Sequence, residues 1–264
     1  IKGENENFAL IEKTLSNALK VPLKIYEKST ILEDKTFLLL KNPLPYQVAY
    51  AVATKNKNGS THSGDTHSET KISGGKFLFA VSDGMGSGEK AKRISDVTLS
   101  LIESFYKAGL KSQSILPLVN KLLAINTDDS FSALDIAVLN LNDLRADFIK
   151  FGAPRGFLIN KDGIKIIEGN TLPIGIIKEL EPSIISTNLS DGDMLVLMSD
   201  GIADAFKSTN EILEFFKKLP ALNPKNIADE TLKEALKLNN EIALDDMTVL
   251  AFRVFKSKNY VKVA

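Results

Sequence analysis

The sequence predicts an α+β fold in which one antiparallel sheet packs on another with helices outside. Three observations predict it. Many short apolar segments are separated by tight polar turns, the connection that joins antiparallel neighbours. The helical patterns come in groups instead of alternating with strands, which argues against parallel βαβ units. The composition is that of a globular chain: 264 residues, 44% hydrophobic, with 33 Lys+Arg balanced by 33 Asp+Glu, a length that allows one large domain or two small ones.

Residues 4 to 20 set Phe8, Ile11, Leu15 and Leu19 at helical spacing, opposite Asn5, Glu12, Lys13 and Asn17. This is an amphipathic helix with a stripe to bury, as core, as a docking face for an adjoining domain or as a homodimer surface. Pro22 ends it, and short strands are predicted over Leu23–Tyr26 and Thr36–Leu40 around the turn Glu33-Asp34-Lys35. Residues 1–45 are therefore expected to form a semi-independent element, regulatory or linking, ahead of a main domain over 46–264. Tyr46, Val48, Tyr50 and Val52 then alternate with Gln47, Ala49 and Ala51, the mark of a half-buried strand.

Residues 55 to 75 read as a polar loop, and Lys76–Ser82 as a fully apolar strand. Ala91, Ile94, Val97, Leu101, Ile102 and Phe105 recur with helical period, and Gly109 supplies the left-handed stop. A second helix is predicted over 115–125, with Ser114 as its cap, Pro117 in its first turn and Leu118, Val119, Leu122 and Leu123 inward. The two helices should pair antiparallel. Strands are predicted at Ser132–Leu141, Ala146–Gly152, Gly156–Asn160 and Ile164–Glu168. The turns Asn142-Asp143, Ala153-Pro154-Arg155 and Lys161-Asp162-Gly163 are short enough to imply antiparallel pairing across each. Ile184–Thr187, Asp193–Met198 and Met247–Val254 add three strands, and 209–218 and 224–237 two helices.

Several function classes fall away on composition. Without cysteine there is no disulfide framework, thiolate zinc site, cysteine nucleophile or iron–sulfur cluster, which fits a reducing, cytoplasmic compartment. A net charge of zero removes the usual electrostatic case for binding nucleic acid or anionic membrane. No apolar run approaches the ~20 residues of a membrane span. The chain starts at Ile1 with no signal-peptide pattern, so it is expected to be a piece of a longer protein, one that other regions could tether to a membrane.

Four carboxylates stand out, three abutting apolar strands and Asp65 following a Gly-Ser-rich loop: Asp65 in Ser63-Gly64-Asp65, Asp83 in Ser82-Asp83-Gly84, Asp200 in Ser199-Asp200-Gly201 and Asp245 in Leu244-Asp245-Asp246-Met247-Thr248. One Asp-Gly is ordinary turn chemistry. Apolar strand followed by Ser-Asp-Gly, occurring twice, with an acid pair ahead of a last apolar strand, suggests one shared site. Converging carboxylates raise each other's pKa, and bound dications remove that conflict. Oxygen donors with no Cys and two His favour Mg²⁺ or Mn²⁺. Two such ions, about 3.5–4 Å apart, suit hydrolysis of a phosphoester by activated water.

Phe79-Ala80-Val81-Ser82-Asp83-Gly84-Met85-Gly86-Ser87-Gly88, Met198-Ser199-Asp200-Gly201 and Asp245-Asp246-Met247-Thr248-Val249 resemble the signature motifs of the metal-dependent PPM (type 2C) Ser/Thr protein phosphatases. Gly64-Asp65, the glycine-rich run after Asp83 and Leu172-Pro173-Ile174-Gly175-Ile176 are most similar to the bacterial branch typified by stage II sporulation protein E. The resemblance covers roughly Tyr46 to Val254. It implies a β-sandwich of two antiparallel sheets flanked by helical pairs, with a dinuclear Mn²⁺ or Mg²⁺ centre at one end. It also implies roles: Asp83 bridging both ions, the Gly84 carbonyl on one of them, Asp65 on one, and Asp200 and Asp245 on the other, with Asp65 and Asp83 catalytic through the water they help activate. Asp246 stands where many members have Asn. The phosphate-gripping Arg of eukaryotic members is missing, and Lys55 and Lys57 are the cations before Asp65. Relatives in this branch dephosphorylate phosphoserine on anti-sigma-factor antagonist proteins and so free a sigma factor, which makes such a protein the expected partner.

Other readings were open for the same residues. Gly84-Met85-Gly86-Ser87-Gly88-Glu89-Lys90 has neither P-loop nor dinucleotide spacing. His62 and His67 flank Asp65 in a polar stretch, as solvated side chains or as neighbours of the metals. The alternative from another class is a catalytically silent phosphatase fold acting as a binding module in a partner-switching pathway.

Overall fold

Glu12 organises the first described segment. In the computed structural model, which describes residues 8–32, 35–86, 88–125, 131–176, 183–220 and 223–257, helix α1 (Phe8–Leu19) precedes strands β1 (Lys24–Leu32) and β2 (Lys35–Lys41). Glu12 accepts from the Ile25 amide (2.8 Å) and from Lys24 Nζ (2.9 Å), and the Ser16 hydroxyl accepts from the Leu23 amide (2.9 Å), so the helix is stitched to the strand after it. β1 and β2 pair antiparallel, Lys24 opposite Lys41. The predicted stripe is not buried as a core: Leu15 and Leu19 remain 37% and 62% exposed. Asn5 and the turn residues Glu33 and Asp34 lie outside the described residues. These elements belong to one compact unit, residues up to Gln47 together with Lys256 and beyond; Val48 to Phe255 form the other.

Within the second unit two five-stranded antiparallel sheets carry the chain. One has the order β10-β7-β6-β5-β4, built from β4 (Asp65–Ile72), β5 (Lys76–Gly84), β6 (Ser132–Asn140), β7 (Arg145–Phe151) and β10 (Ile184–Asn188). The other, β3-β12-β11-β8-β9, contains β3 (Tyr46–Lys55), β8 (Gly156–Asn160), β9 (Gly163–Ile167), β11 (Met194–Met198) and β12 (Met247–Lys256). Strand alternation sorts the side chains. Leu78, Ala80, Leu134, Ile136 and Ile149 point to helices α2 (Gly88–Lys107) and α3 (Ser112–Ile125), with Leu99, Ile102, Ile115 and Val119 between. The opposite face meets the second sheet, where Phe79 stacks on Phe252 at 3.9 Å. Met194, Val196, Val249 and Ala251 on that sheet's far side pack on α5 (Thr209–Lys218) and α6 (Pro224–Leu238).

Four differences from the sequence reading matter. The stretch 55–75 is not all loop, because Asp65–Ile72 is edge strand β4. Its Thr66 and Ser68 face α2 through hydrogen bonds, Thr66 to Ser95 (2.9 Å) and Asp96 (2.6 Å) and Ser68 to Glu103 (2.6 Å), so no apolar alternation announces it. Strands β7 and β8, despite the short link between them, do not pair. The chain crosses from one sheet to the other at Ala153-Pro154-Arg155. Asp200–Ala203 forms a short helix, α4, where a turn is expected. Helix α3 begins at Ser112, which places Ser114 and Pro117 inside it. Gly109, at φ 85°, ends α2 as expected: its amide donates to the Tyr106 carbonyl and the Leu110 amide to that of Phe105. Among the described residues no helix is long and apolar enough to cross a membrane.

Candidate metal centre

β5 carries its apolar run to Ser82 and then delivers Asp83 to the end of the sheet. The antiparallel register sets Asp65 of β4 directly opposite Asp83, and Ala133 of β6 on the other side. Like charges directly opposite across a strand pair repel. Burial is the larger cost. Asp65 is 7% exposed, and both of its carboxylate oxygens are buried with no hydrogen-bond partner. The Ser199 and Thr248 hydroxyls favour its anion without completing a hydrogen bond to it. Burial, followed by Asp246 and Asp200, pushes the Asp65 carboxyl up to about 6.

Asp83 is perturbed further. Its carboxyl is pushed up to about 8, by burial first and then by the charges of Asp65, Asp200, Asp245 and Asp246. Those four names are the geometric result: tertiary structure gathers all the sequence-predicted carboxylates within Coulomb range of one side chain. Asp200 at the start of α4 is also raised, by burial and then by Asp245. Asp245 has a side chain 52% exposed, with Lys57 Nζ at 3.6 Å. Among the described residues no three of these groups yet form a closed metal-ligating cluster.

Backbone contacts fix the frame. The Gly84 amide donates to the Gly64 carbonyl (3.1 Å), the Ser132 hydroxyl to the Asp83 carbonyl (2.7 Å) and the Met85 amide to the Phe131 carbonyl (3.1 Å). Helix α2 presses on this corner so closely that a Cβ on Gly84 would lie 2.0 Å from the Ala91 carbonyl oxygen. A Cβ on Gly201 would lie 2.2 Å from the Asp246 carbonyl, so both Asp-Gly pairs need glycine for close approach and not for a positive φ. Ser87 of the motif lies outside the described residues.

The donor set fits hard dications. A buried carboxylate with two orphaned oxygens, beside a second carboxyl held near neutrality by its neighbours, is relieved by a cation and by little else. Asp246 has a different task. Its Oδ1 accepts from the Lys57 amide (2.8 Å) and its Oδ2 from the Gly64 amide (2.7 Å), tying the 57–64 segment to the end of β12. His67 hydrogen-bonds Glu69 (2.9 Å), which raises its pKa, and His62 contacts Thr61. Asp135 and Lys150, a buried pair next to the site, were not singled out in the sequence. Their signal was there: one acid inside Ala-Leu-Asp-Ile-Ala-Val and one base inside Phe-Ile-Lys-Phe, each a charge in a strand too apolar to be exposed.

A family model described as stage II sporulation protein E (SpoIIE) matches residues 73–255. The chain belongs to the SpoIIE family. Stage II sporulation protein E of Bacillus subtilis is 30% identical over 259 residues, covering 96% of this chain and 31% of that protein, so this chain spans about a third of that SpoIIE relative. The phosphoserine phosphatase RsbU of the same organism is 25% identical over 224 residues, 81% of this chain and 66% of RsbU. Among solved structures, the PP2C phosphatase domain of Bacillus subtilis SpoIIE with a fragment of its regulatory domain superposes with a TM-score of 0.78 at 28% identity, covering 95% of this chain and 76% of that one. The catalytic domain of the phosphatase PstP, solved with two manganese ions, has a TM-score of 0.64 at 18% identity over 80% of this chain and all of that one, a likeness of fold. The sandwich of this SpoIIE-family chain is thus the PP2C phosphatase fold.

Proposed function

We propose that this domain is a metal-dependent protein serine/threonine phosphatase that hydrolyses phosphoserine on a protein of the anti-sigma-factor antagonist kind. One observation carries the reading: Asp65 and Asp83 face each other at a sheet end, one with both oxygens buried and unpaired, the other pushed up to about 8 by burial and then by its acidic neighbours. Membership of a family whose relatives are phosphatases supports it. Asp83 and the Gly84 carbonyl, with Asp65 on one side and Asp200 and Asp245 on the other, would hold two Mn²⁺ or Mg²⁺ ions. Bound there, the ions supply neutralisation of the phosphoryl charge and activation of the attacking water.

The protein's own groups prepare that site. Ser132 and Gly64 hold the backbone of Asp83 and Gly84 by hydrogen bonds, so the carboxylate is aimed before any ligand arrives. Asp246, through the Lys57 and Gly64 amides, keeps the strand bearing Asp65 in register with the loop bearing Asp245. Asp245, half exposed, forms the open side at which a protein-borne phosphate can enter.

The test is phosphate release from a phosphoserine-bearing anti-sigma-factor antagonist, with and without ~1 mM Mn²⁺, a saturating level for a weak oxygen-ligand site, beside Asp83→Asn. Metal-dependent turnover lost in the variant is the expected result. Metal binding by calorimetry without turnover on any phosphoserine protein would replace the reading with a silent binding module.

A further inference from the structure

Lys150 is the one buried cation among the described residues, and nothing in the reaction above uses it. It faces Asp135 directly across β7 and β6, and both side chains are 1% exposed. Taking two charges out of water costs several kcal/mol per ion, so such a pair is weak as a source of stability and calls for another account. Its place in the register supplies one. Asp135 stands opposite Val81 and Ala133 opposite Asp83, so Asp135 lies one pleat deeper than Asp83 on the same inter-sheet face.

Two contacts lead from the pair to the acidic site. Lys150 Nζ donates to Asp135 Oδ2 and, at 2.7 Å, to the carbonyl of Pro154, in the segment where the chain crosses between sheets. Ala153 and Pro154 wall the same small cavity as Asp83, Asp200 and Asp135. Asp135, which lines that cavity, keeps its Oδ1 buried with no hydrogen-bond partner. The surroundings are built tightly around the lysine: a Cβ on Gly169 would lie 2.9 Å from Lys150 Cβ, one on Gly156 3.4 Å from its Nζ, and the Thr171 hydroxyl donates to its carbonyl.

We propose that Asp135 and Lys150 are positioning residues for the metal centre: Lys150 pins the 153–155 crossing that walls the cavity, and the second oxygen of Asp135 accepts a hydrogen bond from water held between it and the Asp83–Asp200 pair. The proposal deepens the phosphatase reading and rests on it. Outer partners of this kind typically change metal affinity or turnover 10- to 100-fold, without touching the substrate.

Three variants separate positioning from mere support. Asp135→Asn keeps an acceptor for Lys150 and turns the unpartnered oxygen into an NH₂ group. Lys150→Met frees the Pro154 carbonyl and leaves a buried acid. Asp135→Leu combined with Lys150→Met removes both charges, a change that is often neutral or stabilising in other proteins. Each is measured for thermal midpoint, for Mn²⁺ affinity by calorimetry, and for kcat and KM. The expected result is a double variant that melts at or above the wild type, with Mn²⁺ affinity and kcat each down about 10-fold or more and KM little changed. Asp135→Asn, which leaves the Lys150 cation buried against a neutral amide, should show the same losses with a lowered melting point, so the double variant is the one that separates positioning from stability. Wild-type affinity and kcat in both the double variant and Asp135→Asn would overturn the proposal. Failure of the wild type itself to release phosphate, with Mn²⁺ bound, would instead sink the phosphatase reading, and the calorimetric comparison would still decide what the pair does for the metal centre.

Discussion

At Asp83 the protein holds a carboxyl that burial and then its acidic neighbours push up to about 8, a site arranged for function at the expense of stability. A carboxyl raised in the fold contributes stability below its unfolded value near 3.8 and loses it as pH climbs toward about 8, so at neutral pH without divalent ions it weakens the fold. Asp83→Asn cannot ionise. It should raise the metal-free stability by about 1–3 kcal/mol in chemical denaturation while abolishing Mn²⁺-dependent turnover. A less stable variant would show that the acidic repulsion is not felt. Tyr106 gives a cleaner pH signature away from the site. Burial against α3 pushes its hydroxyl from 10.0 up to about 12, with Ser112 as its hydrogen-bond partner at 2.8 Å. The neutral ring is favoured by the fold, so its contribution is complete below pH ~10 and lost between ~10 and ~12, a span worth about 2–3 kcal/mol. The stability gap between wild type and Tyr106→Phe should close by that amount over this window; a constant gap would contradict the assignment.

Between elements, the decisive contact is helix α2 on strand β5. The Ala91 carbonyl occupies the space that a side chain on Gly84 would need, at 2.0 Å from the ideal Cβ. Gly84→Ala must therefore lift the helix from the strand or bend the strand end, and a loss of at least ~3 kcal/mol in denaturant midpoints is expected. A loss under ~1 kcal/mol would mean that the corner yields easily. Legibility also divides at this scale. Strands with two apolar faces, such as Lys76–Gly84 and Met194–Met198, announce themselves, because burial on both sides leaves no polar position. Edge strand β4 does not, because its contacts with α2 run through Thr66 and Ser68 hydroxyls, and hydrogen-bonded packing leaves no hydrophobic period to read.

For the whole molecule, ligation and folding are linked. If the gathered carboxylates bind Mn²⁺ only when folded, free metal at about 100 times its dissociation constant adds about 2.7 kcal/mol. For a domain of this size that is a rise of about 5–10 °C in the melting midpoint. A chelator should reverse it, and Asp65→Asn should remove most of it, since Asp65 contributes two buried oxygens with no other partner. A midpoint indifferent to Mn²⁺ in the wild type would count against the metal centre. The same linkage explains how a chain can tolerate four acids at one end of a sandwich whose cores gather around Ile102 and Ile136 on one side and Val196 and Phe216 on the other.

The sequence by itself pointed to the class of fold, the order of nearly all elements and the four acids to watch, because each rests on local chemistry: apolar period, turn residues, Asp-Gly at the end of a buried strand for Asp83 and Asp200, and acids beside a glycine-rich loop or a last apolar strand for Asp65 and Asp245. Only the tertiary structure decided which strands are partners. Asp65 facing Asp83 is a fact of register between β4 and β5, and the separation of β7 from β8 is a change of sheet within a link short enough to have made a hairpin. Asp246 as a clamp on two amides and Asp135 as the partner of Lys150 are likewise invisible along the chain. Hydrogen bonds and ion pairs are made across distances in sequence that no local pattern encodes, whereas hydrophobic burial imprints its period on the residues themselves.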